Sequence, residues 1–172
     1  MTTPPFDPPT DEDIAIVSAQ LGRPARGVLG VSARCVCGAP TVVATAPRLT
    51  HGEPFPTLYY LTHPAATAAI SHLEAEHVMA DLQQALADDP ALAAGYGAAH
   101  RAYLADRESI AVVPEIAGIS AGGMPTRVKC LHALAAHALS AGPGVNPLGD
   151  IALERAEWSP LVCECRDDAA VE

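Results

Sequence analysis

Aromatic side chains are scarce in this 172-residue chain, with two Phe, four Tyr and one Trp. Ala, Leu, Val and Ile must therefore fill most of the core. Lysine is scarcer still: Lys129 stands alone against nine Arg, a bias that suggests a GC-rich genome. There is no run of ~18 apolar residues of the kind that spans a membrane. The opening MTTPPFDPPTDEDI lacks the basic segment and apolar stretch of an export signal. These absences point to a soluble, cytoplasmic protein. In that setting five cysteines, an odd number, argue against a disulfide framework and leave metal binding, redox chemistry or burial. With 49% hydrophobic residues the chain is not wholly disordered, and its length fits one domain.

The net charge of −10 is unevenly spread, because residues 1–13 and 150–172 together carry −9 of it. Between residues 14 and 52 the only charges are Arg23, Arg26, Arg34 and Arg48, a basic patch suited to anionic small molecules or acidic partner surfaces. Overall acidity argues against nucleic acid, whose binding needs many phosphate neutralisations.

Residues 1–9 read as a flexible Pro-rich lead, 10–158 as a single domain and 159–172 as an acidic, Cys-containing tail. Thr10 followed by three acids predicts a helix to about Leu21. Residues 27–34, 41–46 and 54–62 read as strands, with CVCGAP as a turn. After Pro64 the apolar period becomes helical. Ile70 and Leu73 lie on one face and Met79, Leu82 and Leu86 on another, so a break is expected near His77. Pro90 opens a helix to about Ile110, GISAGG is a loop, and Pro125 starts a helix over 126–141. NPLGD (146–150) reads as a turn, with a last helix over about 151–158. The fold class is α+β: a small antiparallel sheet near the N-terminus packed against a helical C-terminal part.

Two C-x-C pairs, Cys35/Cys37 in the turn and Cys163/Cys165 in the tail, are the sharpest chemical signal. A one-residue spacer in an extended strand seldom chelates well. Zinc needs about four N or S ligands, and Cys35, His63, Cys130 and Cys163 supply one from each region of the chain. On the helix expected over 126–141, Cys130 and His137 share a face but lie ~10 Å apart along the axis and His132 is turned roughly 200° from Cys130, so the three cannot all be ligands of one centre. His137 lines the same cleft, orients a ligand or is a core histidine. The 120–126 loop entering a helix, with Arg127 and Lys129, reads as an anion cradle or an ordinary connector. His100, Tyr103 and Arg107 form a stripe that faces a ligand or makes a buried seam. His72 and Glu76 read as a solvated pair.

The strings GRPARGVLGVSARCVCGAP, PFPTLYYLTHP, AHRAYLADR, SAGGMPTRVKCLHALAAHAL and GVNPLGD resemble the domain-of-unknown-function 501 family, widespread in actinobacteria, over residues 20–150. The resemblance brings no established activity. It implies genes often set beside those for a septum-formation initiator protein, enolase and an exopolyphosphatase, hence an association with cell division or phosphate metabolism. Relatives carrying Cys in place of His63 favour that residue as a ligand, and zinc over an iron–sulfur cluster. Gly in place of His77 agrees with the helix break. The resemblance leaves open whether Cys37 and Cys165 are ligands.

Three functions follow as expectations. The first is a zinc site of Cys35, His63, Cys130 and Cys163 supporting an interaction or regulatory role with an unidentified protein. The second is an enzyme or sensor for a phosphorylated or other anionic small molecule, held at the 120–129 loop and helix start by Arg127, Lys129 and the 122–126 backbone, with Arg26 or Arg34 adding charge, His132 or His137 moving protons and His100 and Arg107 facing the ligand. The third is a thiol redox protein.

Overall fold

A computed structural model describes residues 6–165 of the chain. Thr10 caps the first helix, α1 (Asp11–Leu21): its hydroxyl accepts from the Asp13 amide while the Asp13 carboxylate accepts from the Thr10 amide. Gly22, left-handed, ends the helix. Three antiparallel strands follow in the order β1 (Val28–Arg34), β2 (Pro40–Thr45), β3 (Tyr59–Leu61), with Val43 opposite both Val31 and Tyr60. The third is shorter than the expected 54–62, because Pro54 and Pro56 have no amide to give to a ladder. As the central strand, β2 is buried along its whole length. Val42 and Ala44 enter the main core, and Val43 is buried outside it on the opposite face.

The helical part comprises α2 (Pro64–Ala75), α3 (Val78–Asp88), α4 (Pro90–Ile110), α5 (Leu131–Ala141) and α6 (Pro147–Arg155). The break between α2 and α3 falls at His77, whose φ of 64° turns the chain so that Ile70 and Leu73, then Val78, Leu82 and Leu86, all reach the core. At the centre lies α5, packed on the sheet and on α6, with Leu131 and Leu134 fully buried. Gly149 sits where those two helices cross, and a Cβ there would run into the Leu134 carbonyl and the Ala138 methyl. Among the described residues no helix is long and apolar enough to cross a membrane.

Two expected boundaries are corrected. The helix predicted over 126–141 begins at Leu131, because Gly122 and Gly123, both at positive φ, fold residues 120–130 back on themselves. The Arg127 and Lys129 amides donate to the Gly123 and Gly122 carbonyls, and the Val128 amide donates to Gln83. The amides of Arg127, Val128 and Lys129 are thus spent within the protein, and the expected anion cradle at a helix start is not formed, because the helix begins beyond them at Leu131. The segment 146–150, read as a turn, is the start of α6: the Asn146 side chain accepts from the Gly149 amide and Pro147 takes the first helical position, so the helix ends at Arg155 rather than near Trp158.

The described ends of the chain are tied to the sheet region. Asp7, in the segment read as a flexible lead, exchanges both backbone hydrogen bonds with Val31. In the tail, the Pro160 carbonyl accepts from the Val36 amide at 2.8 Å, which lays the C-terminal arm on the turn between β1 and β2.

Candidate metal centre

That turn holds the first C-x-C pair. Cys35 and Ala39 pair across it, the Gly38 amide donates to the Cys35 carbonyl, and Gly38 is at φ 93°. A tight turn rather than an extended strand lets both sulfurs converge, which removes the objection to a one-residue spacer. The arm brings the second pair, and the sulfurs of Cys35, Cys37, Cys163 and Cys165 all lie within 4.8 Å of one another, Cys37 and Cys165 at 3.3 Å. A tetrahedral thiolate site with metal–sulfur bonds of about 2.3 Å needs sulfurs roughly 3.8 Å apart, so the four are arranged at the scale of one ion. Cys35 is buried, while Cys37 and Cys163 face solvent.

Neighbouring groups favour thiolate at Cys37 and disfavour it at Cys163 and Cys165. The Ala39 amide and then the Cys165 sulfur bring the Cys37 thiol down to about 7, whereas burial pushes Cys165 up. His63, at the N-cap of α2, accepts from the Ala66 amide at Nδ1, which leaves the proton on Nε2 to be donated to the Cys165 sulfur at 3.3 Å. Burial against Trp158 keeps the ring neutral, its pKa lowered by desolvation. The histidine thus faces the centre as a hydrogen-bond donor to a ligand, the usual second layer of a metal site. Arg34 braces the turn from the other side: it grips the Asp13 carboxylate with two hydrogen bonds of 2.6 and 2.9 Å and donates to the Gly38 carbonyl at 2.9 Å. This engagement, not an anionic ligand, accounts for its charge. Arg48 of the expected basic patch is likewise paired, with Glu115 at 2.8 Å.

The four expected zinc ligands are therefore not brought together. Cys35 and Cys163 belong to the tetracysteine cluster and His63 borders it, but Cys130 stands in a second cluster with Glu74 and His132. Cys130 is the N-cap of α5, extended at φ −154°, so the helical angle that seemed to separate it from His132 does not apply. His132 Nδ1 is 3.2 Å from a Glu74 carboxylate oxygen, and its Nε2 donates to the Thr67 carbonyl at 3.2 Å. The same Glu74 oxygen accepts from the Leu131 amide at 2.7 Å, capping α5 from another helix. Proximity to Cys130 and then Glu74 pushes His132 up to about 9, and His132 in turn lowers the Cys130 thiol. Glu74 carried no sequence signal beyond a charge in the last turn of a helix.

The remaining candidates are structural. The Arg107 guanidinium is buried and donates to the carbonyls of Pro56, Ile116 and Ile119; His100 pairs with Ser120 at 2.9 Å. The His100–Tyr103–Arg107 stripe is thus a seam between α4 and the loops over it. His137 is wholly buried, stacked on Tyr59 and edge-on to Tyr103, and accepts from Asn146; burial brings it down to about 4, so it is a neutral core histidine. His72 and Glu76 form the expected exposed pair.

Fold and site together define a small α+β protein in which a cysteine cluster joins a sheet turn to a C-terminal arm. Residues 31–154 match the family described as Protein of unknown function (DUF501), and the chain belongs to that family. The matched span includes Cys35, Cys37, Glu74, Cys130 and His132 and ends before Cys163 and Cys165. None of the curated proteins or solved structures compared with the chain matches it.

Proposed function

We propose that Cys35, Cys37, Cys163 and Cys165 bind one zinc ion as a closed structural centre, and that the surface it holds together serves an interaction or regulatory role with a partner protein. The observation that carries this reading is the convergence of two C-x-C pairs, more than 120 residues apart in sequence, within 4.8 Å. A four-thiolate site of this compactness suits a single ion, and a closed set of four protein ligands is the structural rather than the catalytic pattern. Because His63 borders the centre as a donor to Cys165, the case for zinc rests on the compact mononuclear spacing of the four sulfurs. The interaction role draws support from Val36, Leu161 and Val162, large apolar side chains exposed on the turn and arm. Residues placed outward on segments that a metal fixes are suited to present a rigid apolar contact to a partner.

The test is elemental analysis and an absorption spectrum of tag-free protein prepared without chelator, beside the Cys37→Ser/Cys165→Ser variant. Zinc in the wild type, without visible bands and released in the variant, supports the reading. A wild-type protein whose tetracysteine cluster takes up no metal, and whose melting is unchanged by added zinc or chelator, overturns it.

The 3.3 Å separation of the Cys37 and Cys165 sulfurs favours one second reading, a thiol pair that closes reversibly into a disulfide. Loss of two titratable thiols on mild oxidation of metal-free protein, regained with reductant, is its expected signature.

A further inference from the structure

Cys130, His132 and Glu74 come from the N-cap and first turn of α5 and the last turn of α2, yet one ligand atom from each lies within 4.8 Å of the other two. Both supporting contacts are of the kind that orient metal ligands. His132 Nε2–H donates to the Thr67 carbonyl, which fixes the ring with Nδ1 turned toward Glu74, and the Glu74 oxygen is held by the Leu131 amide. Three ligands leave a tetrahedral ion one position short. Cys130 and His132 also line a cavity of about 690 Å³, whose other walls include Leu21, Leu61 and Ala133.

We propose that Glu74, Cys130 and His132 form a second metal site, for a zinc-class divalent ion, whose fourth position opens to this cavity and takes a small uncharged ligand. The mixed sulfur, nitrogen and oxygen donor set excludes the hard cations, magnesium and calcium, and suits zinc or cobalt. Three protein ligands with an open position are the pattern of a reactive rather than a structural ion. Two anionic ligands neutralise the dication, and no Lys or Arg lines the cavity, so nothing there attracts an anion. The polar groups that do line it, among them Gln20, Thr57, Thr62 and Thr67, can orient an uncharged molecule by hydrogen bonds. This site is independent of the tetracysteine centre and stands or falls by itself.

Cobalt(II) titration of the full, metal-free chain tests it. The wild type is expected to take up two equivalents, and Cys130→Ala and Glu74→Gln one each. Glu74→Gln keeps the acceptor for the Leu131 amide, so it serves if Cys130→Ala does not fold. Imidazole, kept uncharged at mildly alkaline pH, is expected to shift the visible bands of the ion lost in those variants and leave the tetracysteine bands unchanged. Full wild-type uptake by folded Cys130→Ala and Glu74→Gln overturns the proposal. So does a wild type that binds a single ion, released by Cys37→Ser/Cys165→Ser; the tetracysteine reading then stands. A wild type with a single ion, lost in Cys130→Ala and kept in Cys37→Ser/Cys165→Ser, supports this site while overturning the other.

Discussion

The two cysteine clusters share elements of one surface and differ in how they are built. Cys35, Cys37, Cys163 and Cys165 sit on a turn and an arm, segments with little core of their own, whereas Glu74 and His132 sit on two helices anchored by Leu73 and Leu131 in the core, and Cys130 caps the second of them. They look onto neighbouring cavities that share Gln20, Pro64 and Ala68 as walls. A metal on the first cluster stabilises geometry that the backbone holds by few other contacts; on the second it would meet a site that packing has already set. The difference in support predicts different structural consequences of metal loss: the arm is released when the first cluster is emptied, whereas the backbone around the second stays in place.

The largest expected effect separates them directly. Removing the tetracysteine metal, by chelation or by Cys37→Ser/Cys165→Ser, should expose the arm around Pro160 to proteolysis while the helical core stays protected. At a thousandfold excess of free zinc over its dissociation constant, the linked loss of stability is about 4 kcal/mol. Denaturant unfolding with and without chelator measures it. In chelated, metal-free protein Cys130→Ala should by contrast change stability by less than about 1 kcal/mol and leave the arm's protease sensitivity unaltered; a larger loss would erase the distinction.

Arg34 comes next, because it holds both α1 and the cysteine turn. Arg34→Met strands the largely buried Asp13 carboxylate and should lower stability by about 2 kcal/mol. It should also weaken zinc at the tetracysteine centre, and not cobalt at the second site, by freeing the Gly38 carbonyl. His63→Phe keeps a ring against Trp158 but removes the N–H to Cys165; about tenfold weaker zinc binding is expected, read by competition with a chromophoric chelator.

The smallest effect is in pH. The Arg34 guanidinium beside Asp13 holds that carboxyl well below the usual carboxylate range. Its folded pKa lies under the unfolded value of about 3.9, so the stabilisation is full above that value and is lost as pH falls below it. Urea unfolding of chelated protein between pH 6 and pH 3 should therefore show a steeper acid loss for wild type than for Arg34→Met. Chelation keeps thiolate protonation at the metal centre out of the comparison.

Much of the fold was legible from local pattern. The capping box at Thr10 and Asp13, the out-of-register faces on either side of His77 and the Pro90 helix start each depend on residues a few positions apart. The helix over 126–141 was misplaced because Pro125 reads locally as a first-turn residue, while Gly122 and Gly123 fold the loop through bonds to Arg127 and Lys129 that no periodicity reports. The site was half legible. Cys35, Cys130 and Cys163 were candidates from residue type, but which sulfur meets which was decided by the Val36–Pro160 hydrogen bond and by Cys130 lying outside the helix.

By itself, the sequence determined the kinds of chemistry available: five thiols, a small α+β core rich in aliphatic side chains, and acidic ends. Only the tertiary structure decided that the thiols divide into a four-sulfur cluster and a Glu–Cys–His cluster, that His63 donates to a sulfur, and that Arg34 serves the fold. The physical reason is range. Caps, breaks and strand alternation are set by forces acting within a turn or two of chain, whereas a ligand set is a matter of distances between atoms more than a hundred residues apart, fixed by packing.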